Sequence, residues 1–238
     1  MKTLRILVPA LLLVLFVLPG FRSRLADTRE TRQVGAFTSL VLAGSPTVIL
    51  RQGSPQKVEV EGDAEDLSHL ETAVTNDGRL RIGSKRTSGN SSYRNRGSIK
   101  VYVTMPTIKG LIVSGSGNIR ATEAVKADNL NLTVSGSGGI ELVSLTADKI
   151  NTAVSGSGNI DIAGVAPTQD ISVSGSGNVK ASKLRSEVCH VAISGSGNCR
   201  LMATKGLDAS IVGSGDVYVM GSPKISSSVI GSGRIHRE

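Results

Sequence analysis

From residue 109 onward, apolar and polar positions alternate with period two on both sides of a recurring Gly-Ser-Gly. Its glycine pairs are Gly115/Gly117, Gly136/Gly138, Gly156/Gly158, Gly175/Gly177, Gly195/Gly197, Gly213/Gly215 and Gly231/Gly233, spaced 21, 20, 19, 20, 18 and 18 residues apart. Two residues before each first glycine stand Val113, Val134, Val154, Val173, Ile193, Ile211 and Val229, all β-branched. Four residues after it stand Ile119, Ile140, Ile160, Val179, Cys199, Val217 and Ile235. Each repeat therefore carries two short strands, with an inward apolar row on each. Between the inward residues of the second strand lie Arg120, Glu141, Asp161, Lys180, Arg200, Tyr218 and His236, which should face solvent.

A repeat near 20 residues with two short strands is one turn of a β-solenoid, whose apolar row becomes a core only when turns stack. The predicted fold is all-β: a right-handed parallel β-helix of about seven coils, rising ~4.8 Å per coil, with an N-terminal mixed β cap. The chain divides into residues 1–26 (signal peptide or N-terminal anchor), 27–33 (linker), 34–108 (the cap) and 109–238 (the repeats), the last two forming one continuous domain.

The glycines of each pair must turn the chain between two inward-facing runs, where positive φ and close approach of coils favour them. The middle serines, Ser116, Ser137, Ser157, Ser176, Ser196, Ser214 and Ser232, are expected to stack as a hydroxyl ladder. Asn118, Asn159, Asn178 and Asn198 are expected to bond amide to amide between coils, with Gly139 interrupting their row. Ser157 and Asn159 should then be buried at a corner. A ligand-binding hydroxyl stripe is the competing reading of the same rows.

Upstream, Phe37–Ala43, Thr47–Arg51, Lys57–Glu61, Arg79–Ile82 and Ser98–Met105 have strand patterning. Ala64–Val74 is the one helix candidate, with Asp63 as its cap. This part should cover the first coil, because stacked coils otherwise end in an open sheet edge. At the other end Arg234, Arg237 and Glu238 interrupt the apolar pattern and read as a charged stop against end-to-end pairing.

Composition narrows the chemistry. Aromatics make up 3% of the 238 residues and Trp is absent, so the core must be aliphatic. Glycine supplies 28 residues, against a usual ~7%. Lys2 and Arg5 precede an apolar run from Ile6 to Leu18, the layout of a secretory signal and too short for a confident membrane span. Without Lys2, Arg5, Arg22 and Arg24, 23 cations face 19 acids, a net charge of +4 that does not point to nucleic acid. The basic stretch Arg86, Arg94 and Arg96 reads as a solvated loop.

No phosphate loop, HExxH, CxxC or nucleophile-elbow pattern is present, and the Gly-Ser-Gly runs lead into strands rather than helices. No catalytic, cofactor-binding or metal-ligating residue is therefore assigned, and no cofactor is expected. Cys189 and Cys199 fall in inward rows and read as core fillers, with a disulfide between them left open. Glu141 and Asp161 on successive coils are the one carboxylate pair a sugar-cleaving β-helix would need, but an ion-paired ladder explains them as well.

The entry Val34-Gly35-Ala36-Phe37-Thr38-Ser39-Leu40, the stretch Val58-Glu59-Val60-Glu61-Gly62, the strand Gly78-Arg79-Leu80-Arg81-Ile82 and the repeated Val-Ser-Gly-Ser-Gly-Asn-Ile resemble the putative autotransporter adhesin head GIN domain family of exported bacterial proteins. The resemblance covers residues 34–235. It implies a parallel β-helical fold, a periplasmic, envelope or surface location, and no defined enzymatic activity or ligand. The expected function is a non-catalytic envelope or surface module, adhesive or scaffolding through its solenoid face. The partner would be a glycan or a protein, with self-association open and the N-terminal segment as a membrane anchor if uncleaved. The alternatives are a periplasmic binding or sensing partner of a membrane complex and a carbohydrate-active β-helix enzyme.

Overall fold

The computed structural model describes residues 28–85 and 97–238. Residues 1–27, which include the expected signal peptide or anchor, and the basic stretch at 86–96 lie outside them. The N-terminal part comprises β1 (Thr28–Arg32), β2 (Ser39–Gly44), β3 (Thr47–Gln52), β4 (Lys57–Gly62), α1 (Ala64–Ser68), β5 (Leu70–Val74), β6 (Arg79–Ser84) and β7 (Lys100–Met105). The repeats follow as β8 (Gly110–Gly115), β9 (Asn118–Ala121), β10 (Val125–Gly136), β11 (Gly139–Gly156), β12 (Asn159–Val165), β13 (Thr168–Gly175), β14 (Asn178–Gly195), β15 (Asn198–Gly213), β16 (Val217–Met220), β17 (Lys224–Gly231) and β18 (Ile235–Arg237). Among the described residues no helix is long and apolar enough to cross a membrane.

The repeats stack as a parallel β-solenoid. Residues one coil apart are in register, as in Leu132↔Thr152, Val134↔Val154 and Gly136↔Gly156, then Val154↔Val173 and Gly156↔Gly175. The alternation predicted from the sequence is the alternation of burial: Leu111, Val113, Leu132, Val134, Ile160, Ile162, Val173 and Ile193 are all buried. One hydrophobic cluster, mostly aliphatic, runs from Phe37 to Val219.

The parallel register continues upstream of the Gly-Ser-Gly repeats. β2 pairs in parallel with β8 on one edge and with β6 on the other. β3 lies likewise between β9 and β7. The coil formed by β2 and β3 is thus first in the chain but second in space, and the β6–β7 coil is stacked outside it. Gly44 sits in register with Gly115 and has φ +132°. It opens an eighth bend, Gly44-Ser45-Pro46, in which proline replaces the second glycine.

Antiparallel strands cover this end. β4 pairs with β7, β1 with β4, and β5 with β6. Two expectations are corrected here. Residues 28–32, expected in the linker, form a strand; Arg29 pairs with Glu59 at 3.3 Å and lies 4.2 Å over the Tyr102 ring. A charged outer strand protects a sheet edge, and the same charges hide it from an apolar-pattern reading. The helix candidate stops at Ser68 instead of Val74. Asp63 caps it as expected, accepting from the Glu65 amide at 2.9 Å. Leu70–Val74 then pairs with β6, where Thr72 and Val74 suit a pleated surface better than a helix.

Candidate functional site

Two glycines in each bend have different tasks, and the positive φ expected at the bend falls on one of them. The first has it, from +110° to +138° in the seven Gly-Ser-Gly copies: Gly115, Gly136, Gly156, Gly175, Gly195, Gly213 and Gly231. The second, at Gly117, Gly138, Gly158, Gly177, Gly197, Gly215 and Gly233, does not. These residues lie outside the strands; the first six are buried, and Gly233, in the last coil, is half-buried. The chain turns at the first glycine, so the second is free of the left-handed region and is required for closeness alone. A Cβ on Gly117 would lie 2.4 Å from the Pro46 carbonyl oxygen, and one on Gly158 2.3 Å from Val134 Cγ1 and 2.5 Å from the Gly138 oxygen. A Cβ on Gly177 would come 2.4 Å from Val154 Cγ1. On Gly197, Gly215 and Gly233 it would meet the carbonyl oxygen of the second glycine one coil back, at 2.3, 2.2 and 2.3 Å. The bend backbone carries the contact between coils. Ser137 N donates to the Gly115 carbonyl at 3.0 Å, and Ser176 N to Gly156 at 2.9 Å.

The middle serines do not form the expected hydroxyl ladder. Ser116, Ser137, Ser157, Ser176, Ser196, Ser214 and Ser232 are all exposed, and no bond joins their hydroxyls among the described residues. Their amides point along the axis into the bend, which turns the side chains outward to water. Asn159 is exposed as well, so the expectation of a buried Ser157 and Asn159 is also corrected.

The amide row beside the bend is bonded. Asn178 Nδ2 donates to Asn159 Oδ1 at 3.1 Å, and Asn198 donates to Asn178 Oδ1 from both Nδ2 and its backbone N, each at 3.3 Å. Asp216 N then donates to Asn198 Oδ1 at 3.1 Å, and Arg234 N to Asp216 Oδ1 at 2.8 Å. Gly139 breaks the row between Asn118 and Asn159. A Cβ there would come 3.0 Å from Asn118 Oδ1 and 3.1 Å from the Asn159 carbonyl oxygen.

Next to the amides runs the outward row of the second strands. Its register is continuous from Arg120 through Glu141, Asp161, Lys180, Arg200 and Tyr218 to His236. The two rows enclose a groove of about 370 Å³ at the Gly139 gap, lined by Asn118, Arg120, Glu141, Asn159, Asp161 and Lys180 among others. Arg120 Nε pairs with Glu141 at 3.3 Å. Arg200 lies 4.6 Å over the Tyr218 ring, and Tyr218 stacks on His236 at 4.7 Å. The row therefore reads cation, two acids, two cations, two aromatic rings. Beyond Arg120 it continues through Ile49 to Tyr102, whose hydroxyl, aided by Lys100, holds the Glu61 carboxyl below its ordinary range.

The two cysteines are buried free thiols. Burial pushes Cys189 up to about 11 and Cys199 still further. Cys189 Sγ lies 3.7 Å from Gln169 Oε1, inside the solenoid and away from the charged row. Among the described residues no three His, Cys, Asp or Glu side chains are grouped to hold a metal.

The model of the family described as "Putative auto-transporter adhesin, head GIN domain" matches residues 36–223. The chain belongs to that family. Its fold recurs in solved structures. A putative adhesin from Bacteroides fragilis superposes with a TM-score of 0.83 at 24% identity, over 92% of this chain and all of that one. A putative lipid binding protein from Parabacteroides distasonis gives 0.74 at 24% identity, over 90% and 98%. A putative adhesin from the same species gives 0.72 at 25% identity, over 89% and 97%. No curated protein sequence matches the chain.

The register aligns the outward residues of the second strands in one row. Two further signals stand in the sequence: Gly44-Ser45-Pro46, a bend with one glycine replaced, and the pairing of like charges between successive repeats. The second becomes informative only once the repeats are stacked, because Glu141 and Asp161, like Lys180 and Arg200, are 20 positions apart in the chain.

Proposed function

We propose that this protein is a non-catalytic module of the bacterial envelope or surface, carried across the membrane by its N-terminal segment, and that it acts by contact, as an adhesin or a scaffold. The observation that carries the reading is the straight outward row of the second strands. Strands in register hold its charged side chains at ~4.8 Å intervals on a backbone that has little freedom to rearrange. Such a face suits recognition of an extended or repeating partner. Membership of a family described by adhesion supports it. Glu141 engages Arg120, which fits a contact ladder better than the acid and nucleophile pair of glycoside hydrolysis.

The test is binding of the purified protein to an array of glycans and envelope proteins. It is run beside a variant in which Arg120, Glu141, Asp161, Lys180 and Arg200 are all replaced by Ser. Binding by the parent and its loss in the variant are expected. Equal binding by both would move the contact to another face, and cleavage of an arrayed glycan would replace the reading with an enzymatic one.

A further inference from the structure

We infer that the charged row is a self-complementary interface, on which a second copy of this chain lies side by side with its axis antiparallel. The inference rests on the contact reading above and names the partner of that same face. Two in-register neighbours in the row carry like charge: Glu141 beside Asp161, and Lys180 beside Arg200. Like charges directly opposite on adjacent strands are unfavourable. A solenoid concerned only with its own stability would alternate signs, as Arg120 and Glu141 do. Among the described residues neither Asp161 nor Lys180 has an ion-pair partner within the row.

The order of the row answers what would relieve both pairs. Read along one chain it is Arg120, Glu141, Asp161, Lys180, Arg200, Tyr218. A two-fold axis between the coils of Asp161 and Lys180 sets this order against its own reverse. Asp161 then faces Lys180 of the second copy, Glu141 faces Arg200, and Arg120 faces the Tyr218 ring. Each contact occurs twice, as in any two-fold interface. The first two are ion pairs, and the last sets the Arg120 guanidinium on the face of the Tyr218 ring that Arg200 gives up when it turns to Glu141 of the second copy. Because both copies have the same rise per coil, the match holds over all six coils, roughly 25 Å, without loss of register. The Gly139 gap adds shape to charge. It lies beside Glu141, where the guanidinium of Arg200 from the second copy arrives, and its volume of about 370 Å³ leaves room for that side chain. Within one chain, Arg200 over Tyr218 and Arg120 on Glu141 use the same partner types that the second copy would supply.

An interface of exposed charges is weakened by salt and sensitive to charge order. Two variants test the order: E141K/D161K, whose row is all basic, and K180E/R200E, whose row is acidic after Arg120. Circular dichroism checks that both keep the parent's strand content. Mass is followed by sedimentation equilibrium at low and high salt. The expected result is a dimer for the parent, with Kd rising at least about tenfold between roughly 0.05 and 0.5 M salt. Each variant alone should be monomeric, and their equimolar mixture should recover the dimer mass, because basic row then meets acidic row. A parent that stays monomeric, variants that dimerise as the parent does, or a mixture that fails to recover the dimer would each overturn the interface. The array separates this outcome from the wider reading. A monomeric parent that binds an arrayed glycan loses the interface and keeps the contact function, whereas a dimer that binds nothing on the array keeps the interface alone.

Discussion

Gly156 and Gly158 stand two residues apart in one bend and resist substitution for different reasons. Gly156 has φ +110°, which an L side chain rarely adopts, and its Cβ would lie 2.8 Å from the Gly136 carbonyl oxygen. At Gly158 the obstacle is space, since the Cβ meets the Gly138 backbone and Val134 together. Neither obstacle can move without shifting the coil above. Gly156→Val and Gly158→Ala should each lose about 2 kcal/mol or more in denaturant unfolding, while Lys180→Ala should lose under about 0.5. Equal losses would mean that the bends do not limit the stack. The buried thiols give a second prediction at this scale. Cys189 and Cys199 should resist a thiol reagent at about pH 8 in the folded protein and react in denaturant. Their pKa values are raised by folding, so their contribution is intact below about pH 9. Above it the unfolded thiols ionise first. For Cys189 the loss proceeds up to about pH 11. The parent should therefore lose more stability between about pH 9 and 11 than a C189A/C199A variant does, and parallel losses would contradict this.

Within the elements, the amide row and the serine row offer a direct comparison. Asn178 donates to Asn159 on one side and accepts from Asn198 on the other. Ser157 exposes its hydroxyl and joins the coils through its backbone, which a substitution leaves in place. Asn178→Ala should cost about 1 kcal/mol and Ser157→Ala close to nothing, read as shifts in denaturant midpoint. A larger loss at Ser157 would restore the hydroxyl ladder. The contrast shows where a sequence stops being legible. Identity at repeat intervals reveals that residues stack, but Ser and Asn both recur, and which one bonds depends on the direction the bend gives each Cβ. The two glycines of a bend are likewise the same letter in sequence, and only the path of the chain separates the turn at Gly175 from the tight contact at Gly177. The strands of the repeats were readable because period two and the glycine spacing agree. β1 was not, since its Thr, Arg and Glu side chains lack an apolar row. Leu70–Val74 was misread because its Leu, Ala and Val positions serve a helix or a strand, and pairing with β6 decides between them.

At the scale of the molecule, the solenoid is asymmetric in how its ends are held. The β2–β3 coil is clamped between two others, and antiparallel strands lie over the outer one. That insertion escaped the sequence reading because Pro46 removes the repeated tripeptide and because chain order does not follow stacking order. At the opposite end β17 and β18 pair on one side only among the described residues, and Val229, an inward position in every earlier coil, is 41% exposed. In a stack whose coils contact chiefly their neighbours, local opening should begin where neighbours and burial are fewest. Hydrogen exchange should therefore be fastest in residues 224–237 and slow in both 39–52 and the central coils, so that protection does not fall symmetrically toward the two ends. Substitutions should follow the same gradient. Leu42→Ala, in the clamped coil and fully buried, should cost about 2–5 kcal/mol, and Val229→Ala under about 1. Exchange at 39–52 as fast as at 224–237 would show that the overlying strands do not hold the inserted coil. The gradient also bears on the contact face. The coils from Arg120 to Arg200 lie between the covered end and the coil paired on one side only, so the charge order that a partner would read sits where opening is expected last.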